Sequence, residues 1–264
     1  MNKIRKSILG GLSAFAIALS LTSCDSFKLS YDYSESFGGY VVYSEESTLN
    51  RLTYMGEIDI SSIYSFTPVV GVSSYAFYRC EKVKKVNLSS NTKQIGAYAF
   101  SKCESLESIS LPSGLEIIDS CAFKESGLKN VWIPASVTFV GIGAYAACPI
   151  ETIVIDKDNK VFDTKEDINA IIYQENMELV AGCKNTNIPE GVKKISTYAF
   201  YGIEDLTIDI PMSVEVINEN AFSKGATIHY PGTYDEFLKI FEKSIGSASG
   251  ITVVATDQTH TFNQ

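Results

Sequence analysis

The feature that most constrains this chain is a repeat. The dipeptide Ala-Phe ends at Phe77, Phe100, Phe123, Phe200 and Phe222, and Ala144-Tyr145 fills the place after Phe123, giving a step of 22–23 residues within each run. The text around these anchors is nearly constant: IGAYAFSKCESLESISLP at 95–112, IDSCAFKESGLKNVWIP at 118–134, VGIGAYAACPIETIVI at 140–155 and ISTYAFYGIEDLTIDIP at 195–211. A fixed period of this length means stacked supersecondary units, none of which can bury its apolar face alone.

Each unit ends in strict alternation of apolar and polar residues. It reads Val83-Lys84-Lys85-Val86-Asn87-Leu88 in one unit and Leu128-Lys129-Asn130-Val131-Trp132-Ile133 in another, with Leu106–Leu111 and Ile150–Ile155 between and after. Alternation puts one face of a short strand inward and one outward. Stacking the units then makes a parallel ladder. Pro112, Pro134 and Pro211 follow the strand, where a residue without an N–H stops pairing and turns the chain. Ala before the aromatic fits a tight corner that a larger side chain would force open. The aromatic residues are expected to stack as a spine, each ring burying roughly 150–250 Å².

The pattern I-G-x-x-A-F-x-x-C-x-x-L-x-x-I-x-L-P resembles the BspA-like, or Treponema pallidum type, subclass of leucine-rich repeats over residues 66–230. Tyr145 replaces the Phe, Leu206 sits one place late, and the unit after Ile155 is stretched. The resemblance implies a leucine-rich-repeat solenoid, a β-rich right-handed superhelix with short parallel strands. It also implies a bacterial surface protein linked to adhesion, without a shared catalytic site, and so a protein that is not an enzyme.

The ends and the break read separately. Lys3, Arg5 and Lys6 precede an apolar run from Ile8 to Leu21, too short to span a bilayer, which needs roughly 20 residues. With Leu21-Thr22-Ser23-Cys24 this resembles a bacterial lipoprotein signal over residues 1–23, cleaved before a lipidated Cys24. Cleavage removes three cations from the formal −9 and leaves −12. Residues 24–39 are polar and read as a tether, residues 40–65 as an N-terminal cap with a strand at Tyr40–Tyr43. Between about 156 and 187 the repeat breaks, and Ala170–Tyr173 and Glu178–Ala181 flanking Gln174–Met177 predict a β-hairpin insertion. Residues 231–264 read as a C-terminal cap: Thr233-Tyr234-Asp235-Glu236 opens a capping helix over about 234–244, followed by a strand at Ile251–Val254.

Composition narrows the function. An acidic chain with 22 Lys+Arg against 31 Asp+Glu argues against nucleic acid as partner. No G-x-S-x-G, H-E-x-x-H or P-loop occurs, and Gly141-Ile142-Gly143 lacks the third Gly of a dinucleotide loop. No cofactor or metal is expected. Two His, at 229 and 260, lie near the C-terminal cap without an assignable nucleophile. Asp156, Asp158, Asn159 and Asp163 lack the Gly and Glu of a calcium loop and read as a turn. Cys80, Cys103 and Cys148 share one repeat position. Adjacent rungs about 4.8 Å apart bring Cys80 and Cys103 within disulfide reach, although a ladder of buried thiols is the plainer reading.

The outward strand positions carry the candidate site. Lys84, Glu107, Lys129 and Glu151 form a row of alternating charge; Lys85, Ser108, Asn130 and Thr152 form the next; Asn87, Ser110, Trp132 and Val154 form the third. Trp132 is the only Trp, and alternation points it outward beside Val154. Unless the hairpin folds over it, Trp132 with Asn130, Lys129, Thr152 and Val154 makes a recognition patch. The family resemblance makes the ligand a host protein or extracellular matrix. A glycan stacking on Trp132 is the alternative, and a structural spacer or envelope-complex subunit the third reading. The body is expected at the cell envelope, on the outer membrane or cell surface, held to the membrane by the lipid on Cys24.

Overall fold

The computed structural model describes residues 29–36, 38–44, 56–60, 69–163, 165, 167–241 and 249–262. The signal segment and Cys24 lie outside these residues. The repeat produces two parallel ladders. In the first, β4 (Val69–Val72), β6 (Gln94–Ile95), β7 (Ile117–Ile118) and β9 (Phe139–Val140) pair in one register, Val72 with Ile95, Ile95 with Ile118, Ile118 with Val140. The second uses the alternating segments. Here β3 (Glu57–Asp59) pairs with β5 (Lys85–Asn87), and β8 (Asn130–Ile133) with β10 (Thr152–Ile155). The first ladder was not anticipated from sequence, because two-residue strands are too short to show a period.

One expected strand is absent. Leu106–Leu111 keeps its alternation, with Leu106 and Leu111 buried, yet it forms no strand; only the carbonyl of Glu107 accepts a ladder bond, from the N–H of Lys129 at 3.3 Å. Its outward residues, Ser108 and Ser110, offer neighbouring strands little to pack against.

The Ala-Phe corners join the two ladders. Phe77, Phe100 and Phe123 donate their N–H groups to Ala99, Ala122 and Ala144 at 2.7–2.8 Å, so the corners themselves are hydrogen-bonded rung to rung. Their rings stack with Tyr145 in one column, with centroids 5.2, 5.6 and 5.4 Å apart and planes within 12°. Each corner is bent by a left-handed residue two before the aromatic and another two after it, or three after it at Phe222, where Gly225 takes the place. The positions before it are Tyr75, Tyr98, Cys121, Gly143, Tyr198 and Asn220, at φ 55–65°. Gly143 and, after the aromatic, Gly202 occupy slots that elsewhere strain a side chain.

The repeat breaks where a hairpin enters the stack. β11 (Ala170–Tyr173) and β12 (Glu178–Gly182) pair antiparallel, and β12 continues in parallel to β13 (Lys194–Ile195) and β15 (Val216–Ile217). Its residues divide between two cores. Ile171, Val180 and Ala181 join the core containing Phe77–Tyr145, whereas Ala170, Ile172 and Leu179 join the core containing Phe200 and Phe222. Burial on both faces explains why these strands read as unbroken apolar runs.

The ends differ from expectation in two places. Residues 29–34, assigned to the tether, form β1 (Leu29–Ser34), antiparallel to β2 (Gly39–Ser44), which pairs in parallel with β4. Leu29 and Tyr31 alternate with Ser30 and Asp32 and pack on the core, a period-two pattern hidden in a polar composition. At the other end, α1 (Tyr234–Ile240) carries the expected capping box, with the N–H of Glu236 donating to the Thr233 hydroxyl and the N–H of Thr233 donating to the Glu236 carboxylate. It stops four residues early, because Phe241 turns extended and bridges Ile217 in parallel. A separate sheet closes this end: β14 (Thr207–Asp209), β16 (Thr227–His229) and β17 (Thr252–Val254) pair in parallel, and β18 (Thr259–Thr261) pairs antiparallel to β17.

Candidate recognition face

Strands β8 and β10 place the candidate residues side by side. Asn130 pairs with Thr152 and Trp132 with Val154, while Val131, Ile133, Ile153 and Ile155 point into the core. Trp132 is 44% exposed and Val154 50%. The hairpin does not cover them, because it enters the stack as a rung instead of folding over the face. The hydroxyl of Thr152 donates to Asn130 Oδ1 at 2.6 Å, which fixes the polar end of the pair of strands. Lys129, just before β8, forms an ion pair with Glu107 at 3.2 Å. That contact realises part of the alternating charge row; both side chains are solvated, so it contributes about 0–1 kcal/mol.

Beyond the strand ends lies a cleft of about 500 Å³, lined by Trp132, Val154, Asp156, Lys157, Asp158 and Lys165. Sequence reasoning assigned Asp156–Asn159 to a turn and missed its second role as the wall of this cleft. The turn is built by its own side chains. The N–H of Asp156 donates to Ile133 O at 2.9 Å and the N–H of Asp158 donates to Asp156 Oδ1 at 2.9 Å. Buried Asn159 uses both ends of its amide: Nδ2 donates to the carbonyls of Pro134 and Val137 at 2.9 and 3.0 Å, and Oδ1 accepts from Val161 and Phe162 at 2.8 and 3.0 Å. Among the described residues no group of three His, Cys, Asp or Glu is arranged to hold a metal ion.

The remaining candidates have structural partners. Cys80, Cys103, Cys121, Cys148 and Cys183 are buried thiols, and none of them is in a disulfide, Cys80 and Cys103 included. The thiols of Cys103 and Cys148 donate to the carbonyls of Phe77 and Phe123, at 3.2 and 2.9 Å, one rung below. Burial pushes the Cys148 thiol up to about 11. His229 Nδ1 lies 3.1 Å from Asp209 Oδ1 across β16 and β14, and His260 packs 4.8 Å from Tyr234.

The comparisons agree with this architecture. The model of the BspA type leucine rich repeat region matches residues 47–168 and 171–261 in six copies. The chain therefore belongs to the BspA-type leucine-rich-repeat family, a repeat family that is typically non-catalytic. Among solved structures it is similar to a leucine-rich repeat protein from Eubacterium ventriosum, at 18% identity and a TM-score of 0.51, over 78% of this chain and 71% of that one. It is also similar to the pneumococcal vaccine antigen PcpA, at 14% identity and a TM-score of 0.50, over 78% and 71%. The T. pallidum leucine rich repeat protein matches at 21% identity and a TM-score of 0.42, over 78% and 86%. At identities this low, the first two of these likenesses speak to the fold alone. No curated protein matches the chain.

Proposed function

We propose that this chain is a lipid-anchored recognition protein of the bacterial surface, a right-handed solenoid held to the membrane through Cys24. Its strand-lined face binds a host or extracellular-matrix protein. The observation that carries the reading is the pair Trp132 and Val154, an apolar patch in register on adjacent strands and half exposed where alternation alone would permit Ser or Thr. Asn130, Thr152 and Lys129 supply a polar rim, the arrangement in which aromatic anchors act as hot spots. Family membership supports a surface role, and the signal pattern ending at Cys24 supports the anchor.

Three experiments test it. Protease treatment of intact cells should release the body, and Cys24→Ala should abolish incorporation of labelled fatty acid. Binding to a panel of immobilised matrix proteins should be lost on Trp132→Ala with circular dichroism unchanged. A protein inaccessible to external protease, or undiminished binding by the variant, overturns the reading.

A further inference from the structure

We infer that the cleft beside Trp132 takes one neutral sugar ring, so that the partner protein is held through its glycan. The inference rests on the recognition reading and names the chemistry of its ligand. The indole of Trp132, flanked by Val154, is a flat apolar platform half open to solvent. Around it stand two carboxylates, Asp156 and Asp158, and two ammonium groups, Lys157 and Lys165. A purely apolar anchor would strip water from these four charges without replacing it. A pyranose suits both parts. Its C–H face lies on the indole, while its equatorial hydroxyls donate to the carboxylates and accept from the lysines. Two acids face two bases in the lining, and Lys165 is also ion-paired with Asp163 at 3.6 Å, so the surroundings carry no excess positive charge, which favours a hexose or N-acetylhexosamine over a uronic acid.

The wall is set before a ligand arrives. Asp156 is tied to Ile133 through its N–H and to Asp158 through its side chain, and Asn159 clamps the turn from beneath. A preorganised wall lowers the ordering cost of binding. At about 500 Å³ the cleft falls in the range of small-ligand sites and is too small for a folded partner.

The chain has one Trp, so its indole emission reports on this cleft alone. Full-length protein in detergent is titrated with the methyl glycosides of glucose, galactose, mannose, N-acetylglucosamine and N-acetylgalactosamine. The expected result is a saturable emission change with at least one, with a Kd on the order of millimolar, weakened about tenfold by the exposed-site variant Lys157→Ala. A matrix glycoprotein bound through Trp132 should also lose affinity when its glycans are removed enzymatically. If no glycoside alters the emission, the sugar inference is overturned. Trp132-dependent binding that survives deglycosylation overturns it too, and leaves the recognition reading standing. The absence of any Trp132-dependent protein binding, beside a positive glycoside titration, sinks the protein partner and keeps the sugar.

Discussion

Phe200 lays its ring against the backbone of Gly182. A Cβ built on Gly182 would lie 2.2 Å from Phe200 Cε1, nearer than any real contact. The relationship explains how the aromatic column survives the hairpin. Tyr145 ends the first stack and Phe200 opens the second, paired with Phe222 at 5.3 Å. Between them β12 brings only backbone, with the N–H of Gly182 donating to Ala199 O at 2.9 Å.

Gly182→Ala is therefore expected to destabilise the protein by about 1–3 kcal/mol through overpacking. Phe200→Leu added to it should recover part of the loss, because the clash is with the ring edge. Denaturant unfolding of the two single variants and the double variant measures the coupling. Additive losses would mean that the strain lies elsewhere.

Tyr145 departs from the Phe of the repeat, and its hydroxyl is buried without a hydrogen-bond partner. Burial drives its ionisation far above the ordinary range for a phenol. Tyr145→Phe should keep the stack on Phe123 and remove an unsatisfied group, so stability rises, by about 1 kcal/mol. Thermal unfolding checks it; a lower midpoint would show that the hydroxyl has a partner in solution.

Asn159 holds four backbone groups, three of them buried, with one amide. Asn159→Ala leaves two carbonyls and two N–H groups without that partner, and a loss of about 2–4 kcal/mol is expected. Asn159→Asp keeps the acceptor for the two N–H groups but sets a carboxylate oxygen against the carbonyls of Pro134 and Val137, so its overall loss should be no smaller. Hydrogen exchange at Val161 and Phe162 should quicken in the Ala variant and stay slower in the Asp variant.

Much of this was legible in the sequence, and the omissions share a cause. The period, the aromatic column and the inward face of β8 and β10 follow from spacing, because each depends only on identical neighbours. The hairpin was recognisable from its two apolar runs around Gln174–Met177, but its place as a two-faced rung was not. That depends on which core Ile171 and Ile172 each join. Exposure of Trp132 hung on the same point. Alternation sets its direction, and only the path of the insertion decides whether it is covered. Asp156 and Asp158 were read correctly as turn residues, yet a turn seen alone gives no hint of the strand pair whose end it walls.

The Cys148 thiol gives stability a pH dependence with a definite sign. Its ordinary value is 9.0, and desolvation at the foot of the column raises it to about 11. The folded state thus holds the proton more tightly than the unfolded chain. The stabilisation is complete below pH 9 and is lost as the pH rises from 9 toward 11. Tyr145 shifts in the same direction and steepens the fall at higher pH. Cys148→Ala should flatten the curve between pH 9 and 11, at the cost of a small cavity and of the thiol's bond to Phe123 O. Chemical denaturation at stepped pH, run beside wild type, reads the difference. An unchanged slope in the variant would place the titrating group elsewhere.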